Sequence, residues 1–234
     1  TIDVTPTWTN GDAGKPWCQK FEPKFTVTTK ATTNYLEFYI SAAGTFYVNC
    51  GDGGSLWDED SATQLTDNVS SRNNVGRSLY WCEWGDRKAH TIKFGGQATN
   101  YDFDTMDEIL WYDEGDNGAA ISFVFNQDIA TISGSLGQIF GTLPNGKNPS
   151  FNGTFAESSL SGTIPATLFS GITGEPSEGM FADTFGYCSG LTGSIPANLF
   201  SGISGAPSEW MFASTFYECS GLTGSIPANL FSGI

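Results

Sequence analysis

Apolar and polar residues alternate through the first hundred positions. Phe25 and Val27 alternate with Thr26 and Thr28, Leu36, Phe38 and Ile40 with Glu37 and Tyr39; Phe46 and Val48 follow, and Ile92 and Phe94 flank Lys93. A period of two in β-branched and aromatic residues predicts half-buried strands, and the Gly, Asn and Thr clusters between them predict the turns of an antiparallel sandwich. From Leu160 onward the rhythm changes. Residues 160–190 read LSGTIPATLFSGITGEPSEGMFADTFGYCSG, residues 191–221 read LTGSIPANLFSGISGAPSEWMFASTFYECSG, and residues 222–234 begin a third copy, LTGSIPANLFSGI. Leu160, Leu191 and Leu222 stand 31 apart, and Phe181/Phe212, Phe185/Phe216 and Cys188/Cys219 keep the same spacing.

A fixed period of this length predicts units that stack, because one unit cannot bury its apolar side alone. Between Pro165, Pro196 and Pro227 there is neither a 3.6-residue stripe nor a run of helix formers. The units are therefore expected to be short strands and turns, with single helical turns at AxLFSG, and not paired helices. An imperfect copy precedes them: Ile132-Ser-Gly-Ser-Leu136 lies 28 residues before Leu160, and Phe151 and Phe155 stand in for the later Phe pair. Ile121, Phe123 and Phe125 alternate like a strand facing a core. The expected organisation is an extension or linker over residues 1–21, a β domain over 22–98, an acidic junction over 99–120, a cap and degenerate repeat over 121–159, and the repeats over 160–234.

Composition narrows the chemistry. Ten basic residues against 25 acidic ones leave a net charge of −15, which disfavours nucleic acid and anionic membranes as partners. No apolar run reaches the ~18–20 residues that span a bilayer. A single histidine excludes HExxH and His-rich zinc centres. The chain starts at Thr1-Ile2 without a Met or an apolar leader and stops inside a repeat at Ile234, so a processed or trimmed segment is expected.

The string MFxxTFxxCSGLTGSIPxxLFSGI resembles the BspA-like leucine-rich repeats of bacterial surface proteins, and its LTGSIPxxL portion is similar to the plant extracellular leucine-rich repeat. The likeness covers residues 121–234 and departs from the family in length, since ~20–29 residues is usual for such repeats. It implies a solenoid with Cys188 and Cys219 close to an inward ladder. Gly44–Gly54, GTFYVNCGDGG, and Ala89–Gly96, AHTIKFGG, resemble the polycystic-kidney-disease (PKD) type of immunoglobulin-like domain, with Cys50 at the usual Trp place and a long, Trp-rich connection over Ser55–Asp86. That resemblance implies a spacer or adhesive module. Within this half, one pair among Cys18, Cys50 and Cys82 can close a disulfide in an oxidising compartment. Cys50 with Cys82 is preferred; Cys18 is then free, or pairs in place of either. Cys188 and Cys219 are expected to be free, buried thiols, because parallel inward side chains do not converge.

No residue pattern marks a catalytic centre. His90 lacks any signature of a nucleophile with an orienting carboxylate and reads as a solvated strand end. Asp58-Glu59-Asp60 and Asp113-Glu114-Gly-Asp116 offer oxygens to calcium, but without the spacing of a known loop they read as solvated, and no other metal or cofactor is expected. The tryptophans are Trp8, Trp17, Trp57, Trp81, Trp84, Trp111 and Trp210. Most fit a core or a junction. Comparison of the two full repeats singles out others: Gly179 becomes Trp210, Gly186 becomes Tyr217, Tyr187 becomes Glu218 and Glu175 becomes Ala206 while the apolar anchors repeat. Positions that vary under a fixed framework are expected to face solvent. Gly179, Tyr187, Trp210, Tyr217 and Glu218 are thus the candidate binding residues. The resemblances and these residues imply a non-catalytic extracellular or cell-surface binding module for protein or glycan partners, basic or cation-bridged ones above all. The alternatives are a structural subunit that self-associates through the solenoid end, and a carbohydrate-binding module.

Overall fold

The computed structural model describes residues 22–59, 63–65, 68–101 and 119–234. The extension with Trp8, Trp17 and Cys18, the greater part of the acidic junction with Trp111, Asp113, Glu114 and Asp116, and Asp60 lie outside them. Among the described residues all regular structure is strand: β1 (Phe25–Thr29), β2 (Tyr35–Ile40), β3 (Ala43–Asn49), β4 (Ser55–Asp58), β5 (Thr63–Gln64), β6 (Val69–Arg72), β7 (Ser78–Glu83), β8 (Thr91–Asn100), β9 (Ile121–Ser122), β10 (Ile129–Gly134), β11 (Ser161–Gly162) and β12 (Gly190–Leu191). The chain is mainly β.

The alternating positions do what their period requires. In β2 the exposed and buried residues alternate, with Leu36, Phe38 and Ile40 inside. Two five-stranded antiparallel sheets result, in the orders β10-β1-β8-β3-β6 and β5-β4-β7-β2-β9. Their inner faces meet: Phe38 of the second sheet sits edge-on to Phe94 of the first at 5.1 Å between ring centres. Cys50, just after β3, and Cys82 in β7 are joined by a disulfide, the preferred pairing, which ties one sheet to the other with Cα atoms 5.5 Å apart. Beside it the Trp84 indole donates to Cys50 O (2.8 Å). Arg72 is buried at the edge of the first sheet, where its guanidinium donates to Ala42 O, Tyr80 Oη, Asn74 Oδ1 and Gly76 O. Ser55–Asp86, expected as a long connection, supplies β4 to β7.

The stretch expected to cap the repeat completes both sheets. β9 pairs with β2, and β10 pairs with β1. The same stretch starts the stack, because the Phe123 N–H donates to Thr154 O (2.7 Å) and the Phe123 ring lies parallel to Phe155 at 5.6 Å. The repeat copies continue from there in register. Parallel pairing joins β11 to β12, and single bridges join Gly174 to Ile203 and Gly193 to Leu222. Phenyl rings form three columns: Phe155, Phe185 and Phe216 at 5.6–5.7 Å; Phe151, Phe181 and Phe212 at 5.7–6.0 Å; and Phe169, Phe200 and Phe231 at 5.8–6.1 Å. The apolar core is one cluster from Phe25 to Leu230. The Gly of each LFSGI string is fixed by this stacking. A Cβ on Gly202 would collide with Ile172 O, and one on Gly233 with Ile203 O. AxLFSG itself forms turns and no helical turn, with Leu199 N–H donating to Pro196 O and Ser201 N–H to Asn198 O.

Candidate binding surface

The candidate residues all lie on one strip of the stack, formed by residues 151–158, 177–188 and 208–219. Its backbone follows a two-residue rule. Met180, Ala182, Thr184, Gly186 and Cys188 donate their N–H groups to the carbonyl three residues back, closing a turn each time. The intervening N–H groups of Gly179, Phe181, Asp183, Phe185 and Tyr187 donate instead to Glu209, Met211, Ala213, Thr215 and Tyr217 O in the next copy, at 2.7–3.0 Å. Every amide in this run is therefore paired, half locally and half between copies, as a half-buried backbone demands. Threonine hydroxyls add an inner ladder: Thr154 Oγ1 donates to Ile121 O, Thr184 Oγ1 to Phe151 O and Thr215 Oγ1 to Phe181 O, at 2.8–3.1 Å. Residues 177–188 are thus bonded to the copies on both sides, while 208–219 accept from 177–188 and close their own turns.

Alternate turns need a left-handed residue in their third position. Gly153 and Gly179 meet that need without a Cβ. Phe125, Glu157, Asp183, Tyr187, Trp210, Ser214 and Glu218 occupy equivalent positions with φ between 49° and 61°. For an L-residue this conformation costs roughly 1–2 kcal/mol. Large or charged side chains here work against stability, and such outliers point toward function.

Exposure sorts the candidates. Trp210 is 52% exposed, Tyr217 51% and Tyr187 41%, and Glu218 is exposed. Tyr187 and Tyr217 meet edge-on at 5.2 Å between centres, so the stacking brings these two together. Gly179 and Gly186 are a correction. Comparison of the copies places both at the surface, yet both are buried, because the copy that follows lies over their backbone and they have no side chain to project past it. Phe125 is a further correction: expected to face the core with Ile121 and Phe123, it is 45% exposed, because β9 ends at Ser122 and Phe125 takes the same left-handed position one tier below Glu157. Its signal would have been the four-residue spacing of these positions, which no glycine pattern betrays.

Other residues turn inward from the strip or lie in the two sheets. Cys188 and Cys219 are free and buried; their thiols donate to Phe155 O and Phe185 O at 3.0 Å, and burial pushes them up to about 11 and about 12. Burial also raises the half-covered Asp183 carboxyl. His90 is not solvated as expected: its ring stacks on Trp84 at 4.4 Å between centres and its Nε2 meets Asp86 Oδ1 at 2.8 Å. Hydrogen bonds from Lys88, then from His90, hold the Asp86 carboxyl at about 2. Trp57 and Trp81 stack across β4 and β7. Among the described residues no group of three His, Cys, Asp or Glu side chains is placed to hold a metal ion. No family model, curated protein or solved structure matches this chain.

Proposed function

We propose that this chain is a non-catalytic binding module of a bacterial surface or secreted protein, made of a PKD-like immunoglobulin-type β-sandwich leading into a BspA-like leucine-rich-repeat solenoid. The observation that carries the reading is the set of exposed rings, Tyr187, Trp210 and Tyr217, two of them in strained backbone, on a strip whose successive turns are closed by hydrogen bonds and joined to one another from copy to copy. Exposed aromatic rings on a rigid support gain contact area with little ordering entropy, which is how interface anchors and sugar-stacking residues work. The Cys50–Cys82 disulfide agrees with an oxidising, extracellular setting. Partners are an extracellular protein or a glycan, and no cofactor is needed. The test is an array of extracellular proteins and glycans probed with the full chain. A hit lost in W210A and Y217S supports the reading, and quenching of tryptophan fluorescence by a sugar assigns the glycan class. A hit indifferent to both substitutions, or turnover abolished by one carboxylate substitution, ends it.

A further inference from the structure

Charge in the repeat half is segregated. After residue 131 the chain carries six carboxylates and a single basic residue, Lys147. Five of the six, Glu157, Glu178, Asp183, Glu209 and Glu218, lie within the strip segments, while Lys147 sits in the loop closed by the Leu143 N–H and Lys147 O. Along the left-handed row, ring and carboxylate alternate from tier to tier: Phe125, Glu157, Tyr187, Glu218. Hydrogen bonds from Phe125 N to Ala156 O, from Glu157 N to Gly186 O and from Tyr187 N to Tyr217 O set these four side by side. Tiers joined by backbone hydrogen bonds are ~4.8 Å apart, so the row is about 14 Å long and its two carboxylates are about 10 Å apart. That is too long for one side chain and too acidic for a phosphate-bearing ligand.

We infer that this row takes a basic, extended polypeptide segment of a partner protein, with Arg or Lys side chains over the Tyr187 and Tyr217 rings and against Glu157 and Glu218. The inference rests on the binding reading above and names the partner's chemistry. Tyr187 and Tyr217 meet edge-on and stay 41% and 51% exposed, and a cation over the face of a tyrosine ring is attracted by the ring quadrupole. Neighbouring carboxylates strengthen that attraction and reject acidic competitors. Spacing sharpens the match. A polyproline II segment rises ~3.1 Å per residue with three residues per turn, so every third side chain returns to one face about 9 Å further on. A basic residue at every third position fits the distance between Glu157 and Glu218.

The test uses a fluorescein-labelled peptide of Arg-Pro-Pro repeats, titrated with the full chain in low salt and read by anisotropy. Saturable binding is expected, with none for the Glu-Pro-Pro counterpart. Y187S should weaken it roughly two- to fivefold, and the double variant E157Q/E218Q on the order of fivefold. E59Q, at an exposed residue just past β4 and three strands from β9, should leave it unchanged. No binding of the basic peptide, or binding unaltered in the strip variants, overturns the inference. If an array ligand still depends on Trp210 and Tyr217 while the basic peptide fails, the partner class falls and the binding reading stands. If both fail, the reading falls too.

Discussion

Glu157 and Glu218 both hold φ at 54°. Replacing the pair with Asn keeps a polar side chain but removes most of the backbone strain, because Asn enters the left-handed region several times more readily than other non-glycine residues. If that region costs a Glu roughly 1–2 kcal/mol, recovering half of it at each site gives about 1–2 kcal/mol for the double variant. The sites are two tiers apart, about 10 Å, far enough for near-additivity. For a chain of this size each kcal/mol moves the melting temperature by ~2–4 °C, so E157N/E218N should melt roughly 2–8 °C higher than the parent. Glu209→Asn is the control. It removes a strip carboxylate at a residue outside the left-handed region, and its effect should stay within about 0.5 kcal/mol. Thermal melts followed by circular dichroism at neutral pH decide the matter. A double variant that melts at or below the parent, or that matches Glu209→Asn, refutes the strain argument. The same double variant should also bind the basic peptide more weakly, so stability and binding move in opposite directions.

Phe185 is fully buried between Phe155 and Phe216, whereas Phe231 is 40% exposed. F185A should therefore cost about 3–5 kcal/mol by urea denaturation and F231A much less; equal losses contradict the ring columns. The Cys50–Cys82 bridge spans a sequence separation of 32, and closing a loop of that size stabilises by about 4 kcal/mol on the chain-entropy model. C50A/C82A should lose a comparable amount, and an unchanged urea midpoint counts against the bridge between sheets. Asp183 has a folded carboxyl raised by desolvation. Such a group contributes most to stability below its unfolded value near ~3.9, and that contribution is lost as pH rises through the higher folded value. D183N should thus raise the urea midpoint at neutral pH and have no effect at about pH 3, by a modest amount because the group is half exposed. A gain that is the same at both pH values refutes burial as the cause.

Much of this architecture is legible in the chain. Alternation at Phe25, Val27, Leu36, Phe38 and Ile40 marks strands because side chains of a strand face opposite sides in turn, and all five lie in the core. The 31-residue spacing of the phenylalanines marks columns because stacked copies repeat their contacts. The double use of residues 121–134 is less visible. Ile129 to Gly134 has the composition of a degenerate repeat, and nothing local says that it also pairs with β1. Gly179 misleads for a simple reason: a glycine reveals nothing about which way its position faces. The left-handed row was hidden because Phe125, Glu157, Tyr187 and Glu218 are not turn-forming residues, and the turns that hold them form only where the copies stack.

The stack depends on alternate amides of residues 179–187 crossing to the next copy. Scalar couplings through hydrogen bonds, measured by NMR on deuterated full-length chain, read that directly. Couplings are expected from Phe181 N–H to Met211 C=O, from Asp183 N–H to Ala213 C=O and from Phe185 N–H to Thr215 C=O, with those amides slow to exchange. Their absence, with the same amides exchanging freely or coupled to carbonyls of their own copy, would contradict the stack and the surface built on it.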